Sequence, residues 1–193
     1  MKSTHRKAHR FCTAFLFVAI IFLQPVIDVR ANVSAQDKEV LEAVDKVAPT
    51  VEEIAKKLWD LSEVSLLEAK SSAYLKDLLK NNGFTITSDK AAGVPTSFVA
   101  EYGKGEPKLG ILLEYDALPD LGNEPVAKKE PRKDGVTSGH GCGHNLIGAG
   151  AMGAALAIKQ LMEEKRIPGT LRVYGAAAEE SEGARGRYHY GSD

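Results

Sequence analysis

Between residues 37 and 61, apolar side chains recur every three or four positions, at Val40, Val44, Val47, Val51, Ile54, Leu58 and Leu61. That spacing is one face of a helix. Pro49 interrupts it, and Thr50 with Glu53 forms a capping box just behind, so a kink or a restart is expected there. The heptad-like run is too short for a coiled coil and predicts a helix facing a core. Residues 68–80 predict a second helix, with Leu75, Leu78 and Leu79 inward and Gly83 as its stop. Strands are predicted at 84–88, 97–102 and 109–115, the last two separated by the turn Gly103-Lys104-Gly105-Glu106-Pro107. The apolar run Leu109-Gly110-Ile111-Leu112-Leu113 predicts a strand buried on both faces. A polar stretch of about 25 residues comes next, a length that in compact domains is either functional or disordered. Asn145 can cap a helix running to 165, with Leu146, Ala149, Met152, Leu156 and Leu161 among its apolar positions. Its Gly and Ala residues suit close packing against a sheet. Pro168-Gly169 then turns the chain into a strand at 170–176 that runs into Ala177-Ala178-Glu179-Glu180.

The strand ending at Asp116, the helix 145–165 and the strand 170–178 form one expected β-α-β unit. Such crossovers are right-handed and leave their strands parallel. Parallel strands put their carboxyl ends on one edge, where ligand sites of open α/β sheets lie. Asp116, Glu179 and Glu180 sit at those ends, and Cys142 and His144 immediately precede the connecting helix. Five chemically active residues from three segments are therefore expected at one place.

Composition adds a second frame. The chain has 193 residues, 44% hydrophobic and 26% charged, ordinary for a globular protein. Its net charge of −1 becomes −5 once the first 35 residues are set aside, because they hold five basic residues and one acidic. No basic stripe remains, which argues against nucleic-acid binding. Lys2, Arg6, Lys7 and Arg10 precede an apolar run at 11–23, and Val33-Ser34-Ala35 is a small-residue cleavage site. Residues 1–35 thus predict an export signal cut after Ala35, with Ala31 the alternative, and a periplasmic or secreted product. The run is short of the ~20 residues that a spanning anchor needs, so no stable membrane anchoring is expected. Cys12 lies in this segment, leaving Cys142 as the lone thiol of the exported chain. In an oxidising compartment an unpaired thiol favours burial or metal ligation.

Residues 138–145 read Ser-Gly-His-Gly-Cys-Gly-His-Asn, with His140, Cys142 and His144 alternating with glycines. Imidazole and thiolate are preferred ligands of zinc and similar ions, and glycines allow a tight turn. Alone, the stretch also fits a Gly-rich polar turn. Glu179-Glu180 can divide metal ligation and general-base work, or simply open a solvated loop. Asp116 can equally be a turn residue. With a metal, the combination suggests assisted hydrolysis. A non-catalytic metal-binding module using His140 as fourth ligand and a thiol enzyme using Cys142 are the rival readings.

Glu-Tyr-Asp-Ala-Leu-Pro (114–119), Gly-His-Gly-Cys-Gly-His-Asn (139–145) and Ala-Glu-Glu (178–180), in this order, resemble the M20 metallopeptidase family in its amidohydrolase branch. This branch includes hippurate hydrolase, the auxin-conjugate amidohydrolases (aminoacylase-like enzymes) and the aminobenzoyl-glutamate hydrolase type. Pro95-Thr96-Ser97-Phe98-Val99-Ala100 and the helix at 68–72 are similar to the last of these. The resemblance spans about residues 40 to 184. It implies Cys142, His144 and Glu180 as metal ligands, Glu179 as general base, Asp116 as an orienting residue and His140 as site-lining. It further implies a three-layer α/β/α zinc-peptidase-like catalytic domain, two zinc ions (manganese or cobalt being alternatives), homodimers in full-length members, and hydrolysis of small N-acyl amino-acid-like amides.

The family's members are more than twice this long. The lid and dimerisation domain, the later metal-binding histidines and the remaining catalytic strands are not found here, so an incomplete N-terminal part with little activity of its own is expected. Residues 36–184 are assigned to that domain. His189 does not match the next family ligand, and residues 185–193 lose apolar periodicity, as an aberrant or truncated tail would.

Overall fold

The computed structural model describes residues 34–181; the expected export signal, except for its last two residues, and the 185–193 tail fall outside them. The chain divides into two units, residues 1–35 and 36–193, and the second holds nearly all of the described residues. The elements are α1 (Ala35–Leu61), α2 (Ala69–Asn81), β1 (Thr85–Asp89), β2 (Phe98–Lys104), β3 (Lys108–Glu114), α3 (His144–Lys165) and β4 (Gly169–Ala176). One mixed sheet runs in the order β1-β2-β4-β3. β2 pairs antiparallel with β1 and β4, while β3 and β4 are parallel, from Lys108 opposite Thr170 to Glu114 opposite Ala176. The expected β-α-β unit is therefore present as β3-α3-β4. The short turn after β2 does not join neighbours, because β4 enters between β2 and β3. Thr170 N–H donates to Pro107 O at 2.9 Å and its hydroxyl to Gly105 O at 2.8 Å, tying that turn to the start of β4.

Ile54 and Leu58 of α1, Leu75 and Leu79 of α2, and Met152 and Leu156 of α3 share one core with Phe98, Ala100, Leu113, Leu171 and Val173 of the sheet. Three expectations about helix continuity and burial need correction. Helix α1 does not restart at Pro49 but continues through it from Ala35 to Leu61. Pro49 is exposed, so the carbonyl that its missing N–H leaves unpaired can face water. Val40 and Val44, at the amino-terminal end of α1, are 45% and 46% exposed rather than inward. Strand β3 is not buried on both faces: Leu109 is 51% and Leu112 42% exposed, because β3 is an edge of the described sheet. Among the described residues, no helix is long and apolar enough to cross a membrane.

Helix α2 starts where Glu63 accepts the N–H groups of Ser71 at 2.7 Å and Lys70 at 3.2 Å, which satisfies amides that no helical carbonyl reaches. Helix α3 starts at Gly143, whose φ of 82° is left-handed. Asn145 is inside the first turn, not at the cap, and its amide nitrogen donates to Ala55 O at 3.3 Å. The close approach of α3 to β3 depends on Gly148, where a Cβ would lie 2.3 Å from the Glu114 carbonyl oxygen. Backbone cannot yield as a flexible side chain can. Gly148→Ala is expected to destabilise the fold by about 1–3 kcal/mol despite alanine's better helix propensity, measured by urea denaturation.

Candidate metal centre

The pairing of Glu114 with Ala176 puts the ends of β3 and β4 side by side, and α3 begins above them. Past β3 the chain delivers Tyr115 and Asp116, both buried. Past β4 come Ala177 and Ala178, fully buried, and a short 3-10 turn at Glu179–Ser181. Ala178 has a left-handed φ of 58°, which turns the strand end back so that Glu179 and Glu180 face α3.

His144, the first residue of α3, is the meeting point. Its Nδ1 lies 2.9 Å from Asp116 Oδ1 and 3.1 Å from Asp116 O. Both are acceptors, so Nδ1 carries the proton and donates it, fixing the ring and its tautomer. The other nitrogen, Nε2, lies 3.6 Å from Glu114 Oε2 and 3.8 Å from both Glu179 Oε2 and Glu180 Oε1. One ligand atom each from His144, Glu179 and Glu180 falls within 4.8 Å of the others. Glu180 Oε1 is buried with no hydrogen-bond partner, as are Ser72 Oγ and His140 Nδ1, and of these three atoms it is the one within the group around His144.

The electrostatics fit the same purpose. The hydrogen bond to Asp116 raises the His144 pKa above its usual range, against the effect of burial. Burial pushes the Asp116 carboxyl up, but donors from His144, the Ser65 hydroxyl at 2.7 Å and the Glu180 N–H at 2.9 Å outweigh it and hold it low. Cys142 is exposed, and its hydrogen bond with Glu180, followed by slight desolvation and the charges of Glu180, Glu179 and Asp116, pushes its thiol up. That places the sulfur beside Glu180, though outside the tight group of three. Soft thiolate, imidazole and carboxylate together are a donor set for a borderline divalent ion.

His140 goes elsewhere. Its Nε2 is 3.0 Å from Leu58 O at the end of α1, and it is not among the grouped ligand atoms. The polar stretch after Asp116 is anchored at that same helix end. Arg132, buried, stacks 4.0 Å over Trp59 and donates to Trp59 O at 2.7 Å and Asp60 O at 3.1 Å. Ser138 Oγ donates to Ser62 O. Sequence reasoning overlooked Glu114 as a site residue. It is two positions before Asp116, and strand alternation puts such residues on one side, so the signal was there. Ser65 and Glu68 carried no local signature.

Residues 111–191 match the family model Peptidase family M20/M25/M40. A p-aminobenzoyl-glutamate hydrolase subunit of Escherichia coli (strain K12) is 35% identical over 139 residues, covering 72% of this chain and 29% of that protein. The Xaa-Arg dipeptidase of Mus musculus is 26% identical over 166 residues, covering 80% and 35%. Among solved structures, the Bacillus subtilis YXEP protein, described as a dinuclear metal binding peptidase from the M20 family, superposes with a TM-score of 0.60 at 20% identity, covering 77% of this chain and 39% of that one. The α/β fold is thus that of M20 catalytic domains, and the chain spans about a third of the length of the relatives it matches.

Proposed function

Residues 111–191 belong to peptidase family M20/M25/M40, and from that premise we propose that the chain is the metal-holding part of an exported amidohydrolase acting on small N-acyl amino acids, with acyl-glutamates the first substrates to try. The family is one of metal-dependent hydrolases, and the substrate class follows the name of the Escherichia coli relative. The observation that carries the reading is His144, donating from Nδ1 to Asp116 while Nε2 faces Glu179 and Glu180.

In this reading Cys142, His144 and Glu180 hold the ion, zinc being the first candidate and manganese or cobalt the alternatives. A divalent ion there would acidify water and polarise an amide carbonyl. Asp116 keeps His144 in the tautomer that frees Nε2. Glu179 takes the proton of the attacking water and returns it to the leaving amine nitrogen. Residues 1–35 direct export, with cleavage after Ala35.

The test is zinc calorimetry on the 193-residue chain in buffers of different ionisation enthalpy. His144 and Cys142 both have raised pKa values without metal, and each must present a deprotonated atom to a metal. Uptake should therefore release protons, and affinity should fall as the pH drops through those raised values. A chain that takes up no zinc, or takes it up without proton release, overturns the reading.

A further inference from the structure

Glu68 is a carboxylate with no exposed surface, between α1 and α2, and it does not belong to the group around His144. Among the described residues no cation pairs with it. Its Oε2 accepts the Thr96 hydroxyl at 2.7 Å, and its Oε1 accepts the backbone N–H of Ala178 at 2.7 Å. Thr96 is held in turn, since Tyr115 donates its hydroxyl to Thr96 O at 2.6 Å. A buried carboxylate is costly, and an apolar residue of similar size often serves stability as well or better. What an apolar residue cannot do is accept the Ala178 N–H.

That N–H is well placed to matter. Ala178 directly precedes the Glu pair and has φ 58°, a conformation that L-residues other than glycine seldom adopt unless the surroundings impose it. Two residues later, the Glu180 N–H donates to Asp116 Oδ2 at 2.9 Å. The turn is therefore gripped on both sides of Glu179 by backbone N–H groups donating to buried carboxylates. Both grips trace to one segment. Glu68 supplies the first directly, and Ser65 braces Asp116, the second, with its hydroxyl at 2.7 Å. The segment is itself fastened to the end of β3, because Ala117 N–H donates to Glu63 O at 2.8 Å.

We propose that Glu68 is a positioning residue of this site: by accepting the Ala178 N–H it locks the left-handed turn that aims Glu179 and Glu180 at His144. The role rests on the metal-hydrolase reading above. It is tested by zinc affinity and thermal stability of the chain carrying Glu68→Gln, Glu68→Met or Thr96→Val, with Glu180→Ala as control. Glutamine keeps an oxygen for Ala178 and can donate its amide to the Thr96 hydroxyl, so Glu68→Gln should retain zinc affinity. Methionine fills the space but accepts nothing, and Glu68→Met should weaken zinc by about 10–100-fold, the usual effect of losing a residue that orients ligands. Thr96→Val removes the other hydrogen bond and should lower stability without touching affinity. Should Glu68→Met not fold, Glu68→Asp, one methylene too short to reach both partners, decides in its place. Wild-type affinity in Glu68→Met, or an equal loss in Thr96→Val, overturns the proposal. If the unsubstituted chain binds zinc and Glu180→Ala does not, the metal reading stands whatever Glu68 shows; if the unsubstituted chain binds none, both fall.

Discussion

Glu179→Gln, in a polypeptide of the relatives' full length, is expected to lower kcat for acyl-glutamate hydrolysis by about 10²–10⁴-fold while leaving zinc affinity unchanged. Distance alone does not separate the two glutamates, since each has an oxygen 3.8 Å from His144 Nε2. Their surroundings do. Glu180 has a buried oxygen with no partner, neighbours the Cys142 thiol, and is fixed through its own N–H to Asp116. Those are the marks of a ligand. Glu179 lies between the two backbone grips; its side chain is 19% exposed, as is that of Glu180, so exposure lets a proton leave it without separating the two. Glutamine preserves its shape and removes only the basicity. Steady-state kinetics and zinc calorimetry on the same preparation give the answer. Loss of zinc together with turnover would assign Glu179 as ligand and exchange the roles, and unchanged kcat would place the base elsewhere.

The parts of this arrangement legible in the sequence are those with local or topological signatures. The periodicities of 37–61 and 68–80 located α1 and α2, and the order strand, helix, strand brought Asp116, His144 and Glu179-Glu180 to one edge. The rest depended on distant pairing. Nothing local says that β4 enters between β2 and β3, because that choice is made by hydrogen bonds such as Thr170 to Pro107. Leu109 and Leu112 read as doubly buried, since apolar character alone cannot tell an edge strand from a central one. Val40 and Val44 continue the helical stripe beyond the point where neighbours cover it. Glu68 and Ser65 act through contacts 110 and 51 residues away in sequence, and a buried acid is the opposite of what its residue type predicts.

His144→Ala should cost zinc affinity about 10²-fold or more. Structural zinc sites bind with roughly 10–16 kcal/mol over four ligands, so one ligand carries about 3 kcal/mol. The same substitution takes a donor from Asp116, which is buried and keeps only Ser65 and the Glu180 N–H. A loss of about 1–3 kcal/mol in stability should accompany it. His144→Asn, which retains a donor near Asp116, should lose zinc as severely but less stability, and so divides the two effects. The pH dependence supplies a further check with a definite sign. Because Asp116 raises the His144 pKa in the folded chain, the metal-free stability that His144 protonation contributes is full below the unfolded value of about 6.5, as long as Asp116 stays ionised, and is lost as pH rises through the higher folded value. Metal affinity runs the other way, since Nε2 must be bare to bind. In His144→Ala the stability profile should flatten over this window and the zinc profile should lose the His144 contribution. Near-normal zinc affinity in His144→Ala would remove the residue on which the whole site converges.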